Sequence, residues 1–378
     1  MYASFLKICA PCPACGGRAF YCAVQFGDFL RSRQVTNQHK RQGREDAALT
    51  CALNLAPMAT YVARRLIQAV VVLLAVSLIC FCIFRYLGDP VISMAGLYAT
   101  FQEREEVRRV FGLDKPTYVQ YGLFVWNAAH GNFGKSFVSR VPALPLILER
   151  FPATFELATC AVCIAFVVGV GLGVLVSLRP YSAKSRLIMA ASLGGISIPT
   201  FLTGILLIMV FSVMVGILPS YGRGNTIQLG FWRTGLLTLD GIKHLILPAC
   251  TLASYQLAVL LRLTRAGMRE VLAEEYIKTA WAKGLPPRKV IFKHALRNVM
   301  IPVVTITGLQ FGELLAFSIV TETIYQWPGM GNLLLTSIYE NDQPVIVTYI
   351  MLASLIIITL NTIVDILYAI LNPKIRYD

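Results

Sequence analysis

A few groups of residues in this 378-residue chain have types and spacings that could do chemistry. Cys9-x-x-Cys12-x-x-Cys15 with Cys22 offers thiolates at a spacing that can converge on one zinc ion. A second well-spaced pair is lacking, however, and Pro11 and Pro13 constrain the turn. Gly134-Lys135-Ser136 ends like a phosphate-binding loop, but the first glycine of that motif would fall on Ala129, and no buried strand precedes it. His244 and His294 lie at the edges of apolar runs or in loops, where neither can join an intramembrane serine in a hydrolase. That leaves Glu313, Asn361 and Asp365, polar groups inside apolar runs. A charge at the centre of a membrane helix costs about 2.5–3.5 kcal/mol on insertion scales, so such a group faces a bundle interior or a water-filled cavity. For Glu313, structural pairing and pathway lining remain equally open. Asn361 and Asp365 lie at i, i+4 on one helix face. They could line a polar pathway, but an inward cap or interhelical bond fits Asp365 better, because it is close to the inner end of its run.

The elements that must position these residues are membrane helices. The chain is 56% hydrophobic and only 14% charged, with a mean hydropathy of +0.64, outside the range of soluble domains. Its net charge of +14 comes from cations beside apolar runs and not from a face with interleaved aromatics, which argues against nucleic acid. Of ten cysteines, Cys80, Cys82, Cys160, Cys163 and Cys250 sit in or beside apolar runs as small core residues. Six stretches are long and apolar enough to cross a bilayer: residues 66–87, 154–178, 187–218, 244–263, 299–320 and 345–371. The third is over-long and carries Gly194-Gly195 and Ile198-Pro199-Thr200. A break near Pro199 is expected, where freed backbone groups need a protein-lined or wet environment. Gly169-x-x-x-Gly173 and Gly308-x-x-x-Gly312 are smooth faces for close helix approach.

Orientation follows from the cations. Residues 179–186 hold three and no acid, residues 322–344 hold none, and residues 269–297 hold seven, namely Arg269, Lys278, Lys283, Arg288, Lys289, Lys293 and Arg297. By the positive-inside bias the first and last of these segments are cytoplasmic and the middle one is external. The long segment 88–150 and residues 219–243 are then external, and both termini are inside. The enlarged cytoplasmic loop, about residues 267–298, has apolar residues at helical spacing from Met268 through Val271, Leu272, Tyr276 and Ala280. A glycine at 284 stops that pattern and Pro286-Pro287 forbids its continuation. One short helix with a free face is expected there.

The residues of that loop, Glu275-Tyr276-x-x-Thr279-Ala280-x-Ala282-Lys283-Gly284 followed by His294-Ala295-Leu296-Arg297-Asn298 and Ile301-Pro302, resemble the coupling loop of ATP-binding-cassette importer permeases. The closest likeness is to the branch that imports di- and oligopeptides and, in some members, nickel. The general signature has Glu-Ala-Ala before the glycine, whereas Lys278-Thr279-Ala280 stands here. Residues 111–121, Gly131-Asn-Phe-Gly134-x-Ser136 and Glu322-Thr-Ile-Tyr-Gln-Trp327-Pro328-Gly329-Met-Gly331 are similar to the external regions of the same branch. The resemblance starts at Met58. Residues 1–57 hold five cysteines and a basic run, and are read as a disordered extension or an upstream start, in preference to a zinc knuckle.

The resemblance implies an all-α integral membrane protein of the bacterial inner membrane, with a type I importer permease fold. Implied partners are a second homologous permease, two ATPase subunits, a periplasmic solute-binding protein, membrane lipid and a peptide substrate; no cofactor or metal is implied. Glu275, Tyr276, Thr279, Ala280, Ala282, Lys283 and Gly284 would then contact the ATPase. No ATPase motif is present, so energy would come from the partner. An ion-coupled secondary carrier, with Glu313 and Asp365 as proton or sodium sites, is the competing class, but no inverted repeat supports it.

Overall fold

The computed structural model describes residues 62–83 and 115–371, with isolated positions between and before them (60, 85, 100–102 and 105). The cysteine group Cys9, Cys12, Cys15 and Cys22, the start expected at Met58, most of residues 86–114 and the basic end at Lys374 and Arg376 lie outside the described residues.

Helix α1 spans Val62–Ile83, 22 residues at a mean hydropathy of 2.9. A short external helix α2, Thr117–Ala129, precedes α3, Ala143–Leu178. The sequence places the start of this second span near 154, but the helix begins at Ala143, because Pro142 stands just before its first turn, where a missing N–H is not needed. The third apolar run is broken as expected. Helix α4, Ala183–Ser197, and α5, Thr200–Leu207, which continues through a π segment Ile208–Met214, meet at 111° across Ile198-Pro199. Proline removes one donor and forces its predecessor into extended backbone, which Ile198 adopts with ψ 124°.

An external hairpin follows, with β1 Ile227–Leu229 paired antiparallel to β2 Trp232–Thr234. Helix α6, Leu239–Ala273, is longer at both ends than residues 244–263. Thr238 caps its start by accepting a hydrogen bond from the Gly241 amide at 3.0 Å. Helix α7 is Glu275–Ala282. A π segment, Lys289–Ala295, leads into α8, Leu296–Phe317. Two external helices, α9 Ile319–Ile324 and α10 Met330–Tyr339, precede α11, Gln343–Leu371. Among the described residues, five helices are long and apolar enough to cross a membrane, and six if the bent pair is one span.

The core lies where α3, α6 and α8 meet. Both glycine pairs serve packing there. A Cβ at Gly173 would lie 2.7 Å from Thr264 Cβ and 2.8 Å from the Leu261 carbonyl oxygen, so α3 and α6 approach backbone to backbone. Gly308 gives α8 the same access to α11, a Cβ there falling 2.5 Å from Val364 Cγ2. At the outer end a second cluster joins Ile147, Met330, Leu334, Val345 and Tyr349.

Candidate functional site

The cytoplasmic loop is not one helix from Met268 onward. Met268, Val271 and Leu272 belong to the end of α6, and Glu274 breaks the path with ψ 147° before α7 restarts at Glu275. Apolar periodicity runs through the break because both helices pack on the same neighbours, so spacing alone could not reveal it. Helix α7 ends as its glycine requires. Leu285 N donates to the Ala280 carbonyl and Gly284 N to that of Trp281, the paired bonds of a left-handed helix stop, with Gly284 at φ +74°. The next helical turn begins at Pro287, which needs no donor there.

The helix is amphipathic, and the division of its residues differs in part from the sequence reading. Ile277 is fully buried and Ala280 nearly so, both in the core cluster with Val290, Ala295 and Val299. Ala280, expected on the contact face, therefore holds α7 onto its own chain. Glu275, Tyr276, Thr279, Ala282, Lys283 and Gly284 are exposed, and Trp281, which the sequence reading passed over, joins them at 44% exposure. Glu275 pairs with Lys278 at 2.7 Å, an exposed bridge that contributes little to stability. The Tyr276 hydroxyl accepts from Asn298 Nδ2 at 2.7 Å, tying α7 to the first turn of α8. The outcome is a short, firmly seated helix presenting charge, two aromatic edges and an open glycine turn away from the chain.

The polar groups inside the membrane do not form a single site. Asp365 is ion-paired with Arg65 of α1 at 2.9 Å. Asn361 is half-buried beside Gly312 on the α8–α11 contact. Glu313, next to Gly312 on α8, is exposed along with Leu309 and Phe317 of the same helix, and makes no hydrogen bond or ion pair among the described residues. Pro199 is exposed at the break between α4 and α5.

Three buried carboxylates, Glu156, Glu322 and Asp342, were given no pairing in the sequence reading. Glu156, an acid within the apolar run of α3, accepts from Arg223 at 2.6 Å, from Trp232 Nε1 at 3.1 Å and from the Gly235 amide at 3.3 Å, which ties the external hairpin down. The signal for it was visible, since an acid inside a membrane run calls for a partner or a water-filled cavity. Glu322 of α9 is completely buried and accepts from Thr154 Oγ1 at 2.7 Å, Ser318 Oγ at 2.9 Å and the Asn332 amide at 3.0 Å. Burial pushes its carboxyl above the usual range, and these hydrogen bonds partly oppose the shift. A Cβ at Gly329 would overlap that carboxylate, which explains why glycines recur in the segment that follows Trp327. Around it, Trp327 Nε1 donates to the Ala153 carbonyl and Tyr325 shares a hydrogen bond with Thr251, so the external turn is stitched to α3 and α6. Ser136, the supposed end of a phosphate loop, is buried and bonded to Asp342.

Residues 58–158 match the N-terminal component, and residues 169–377 the main component, of the family described as binding-protein-dependent transport system inner membrane component. The di/tripeptide transport system permease protein DppB of Pseudomonas aeruginosa is 42% identical over 335 residues, covering 85% of this chain and 100% of the relative. The dipeptide transport system permease protein DppB of Escherichia coli K12 is 39% identical over 337 residues, covering 85% and 99%. The glutathione transport system permease protein GsiC of the same strain is 42% identical over 321 residues, covering 85% and 100%. A solved inward-facing structure of the MetNI methionine ABC transporter aligns with 60% of this chain and 96% of its own, at 17% identity and a TM-score of 0.48. With two adjoining family regions spanning nearly all of the chain after residue 57, on a bundle of apolar helices with a short cytoplasmic helix seated between two of them, the chain belongs to the binding-protein-dependent transport system inner membrane components and is a multi-pass permease of the inner membrane.

Proposed function

We propose that this permease carries di- and oligopeptides into the cell as part of an ATP-binding-cassette importer, using ATP hydrolysed on partner subunits. The observation that carries the substrate class is the identity of 39–42% to relatives named for dipeptide, di/tripeptide and glutathione transport, over essentially their whole length. All three named substrates are short peptides or peptide-like. The partners are a second permease, two ATPases and a periplasmic binding protein.

The exposed face of α7 is the surface on which the ATPase acts. Ile277 and Ala280 fix the helix to the ends of α6 and α8, so a push on Glu275, Tyr276, Thr279 or Trp281 moves both spans as rigid levers. Lys283 and Gly284 close the same face, and Ala282 leaves it flat. Glu313 lines the passage between the two permeases. On this chain it faces outward between apolar neighbours, and facing lipid would cost about 2.5–3.5 kcal/mol. A carboxylate there suits the ammonium end of a peptide. Residues 1–57 precede the family match and are read as dispensable for transport.

Proteoliposomes holding the complete transporter and its binding protein test this reading. ATP-dependent uptake of labelled dipeptide is expected. Uptake driven by an ion gradient without ATP, or no affinity of the binding protein for any di- or tripeptide, would overturn it.

A further inference from the structure

Helix α3 packs on α6 through Gly169 and Gly173, which leaves its other face outward. That face forms an open groove of about 410 Å³, with Val167, Gly171 and Leu175 on one wall, Phe292 and Leu296 on the other, and Val174 at the floor. Every lining residue is apolar or glycine. Beside Gly171 the groove is open, since a Cβ there would meet nothing within 4 Å among the described residues beyond its chain neighbours.

The depth of the groove follows from the elements that form it. Helix α3 ends at Leu178 and the π segment before α8 begins at Lys289, and the loops beyond both points are the cation-rich cytoplasmic ones. The groove therefore lies in the inner leaflet and opens toward the cytoplasmic headgroups. Three cations adjoin the lining residues along the chain, next to Leu175 and Phe292. Arg179 closes α3 one turn past Leu175, and Lys289 and Lys293 flank Phe292 on the facing wall. All three are exposed, and none has a side-chain ion pair or hydrogen bond among the described residues.

We propose that this groove binds an anionic glycerophospholipid of the inner leaflet, one acyl chain lying against Gly171 and Val174 while the phosphate rests among Arg179, Lys289 and Lys293. Two walls distinguish the site from the ordinary lipid-facing surface of a helix, and the cation rim selects the headgroup. Lys289 and Lys293 belong to the segment carrying α7, so the lipid braces the lever through which the spans would be moved.

Photo-crosslinking of the full-length chain, co-expressed with its partners and reconstituted in proteoliposomes, tests the site. Phosphatidylglycerol carrying an acyl-chain diazirine is expected to label the peptide holding residues 166–175 about fivefold more than phosphatidylcholine with the same diazirine, the effect of roughly one cation at the membrane surface. Gly171→Leu puts bulk into the groove at a position where a Cβ meets no described residue, and should remove that label, while Gly194→Leu, also at an open position but on α4, should retain it. An Arg179→Gln, Lys289→Gln, Lys293→Gln triple variant leaves the groove intact and should bring the two lipids to equal labelling. Equal labelling of the wild type by both lipids would mean an ordinary annular contact and would overturn the proposal. So would the absence of lipid label at 166–175, the result expected if a partner subunit covers this face.

Discussion

Gly284 offers the sharpest test of the loop, because the structure separates two effects that a substitution there would normally mix. Its φ of +74° is a conformation in which an ordinary L-residue is strained by about 1–2 kcal/mol, with asparagine suffering least. Apart from its two chain neighbours, no described residue has an atom within 4 Å of the position a Cβ would take, so a Cβ there meets open space. A strain of about 1–2 kcal/mol corresponds to a factor of roughly 5–30 between the native turn and any alternative path. Gly284→Val should therefore weaken the stop of α7 by about that factor while leaving the spans inserted, and Gly284→Asn should weaken it by much less. Reconstituted transporter, assayed for peptide uptake and ATP hydrolysis in the same vesicles, reads the consequence. Uptake per ATP is expected to fall in the order glycine, asparagine, alanine, valine. If asparagine is as damaging as valine, the harm comes from bulk against a docked partner and the argument from φ is wrong. If all variants transport like the wild type, α7 is not the coupling element.

Three further expectations rest on packing, protonation and topology. Gly173→Val should lower the thermal stability of the purified permease by about 1–3 kcal/mol, because a Cβ meets Thr264 and the Leu261 carbonyl, whereas Gly171→Ala, two residues away in open space, should leave it unchanged; equal effects would refute the α3–α6 contact. Since the Glu322 carboxyl is raised above 4.5 in the fold, the folded state holds that proton more tightly than the unfolded chain does. Its contribution is full below pH 4.5 and is lost as pH rises through the raised value, so Glu322→Gln should flatten the dependence of melting temperature on pH above 4.5, and an unchanged slope would count against the burial account. In a background without accessible cysteines, Ser139→Cys and Phe231→Cys should label from the external side and Tyr181→Cys from the cytoplasm. Tyr181 is preferable to Ser182, whose hydroxyl caps α4, and any one of the three labelling from the opposite face contradicts the topology.

What the sequence by itself determined is whatever depends on neighbours along the chain. Hydropathy over about 20 residues marks the spans, because a helix must satisfy its own backbone in lipid, and cation bias orients them. The break at Pro199 and the stop at Gly284 were readable for the same reason, each being a local backbone rule that any tertiary context must obey. Only the tertiary structure decided which polar groups meet. Ser136 and Asp342 lie 206 residues apart, and Glu322 finds Thr154 across 168, pairings that no periodicity encodes. The division of α7 was hidden likewise. Ile277 and Ala280 are buried, and Tyr276 and Trp281 are not, because the ends of α6 and α8 cover one particular strip of a helix whose apolar and polar residues do not announce it. A charge at membrane depth shows the same limit from the other side. Insertion cost tells that Glu156, Glu313 and Asp365 each need company, but the fold alone gives Arg223 to the first, Arg65 to the third, and leaves the second facing out of the chain.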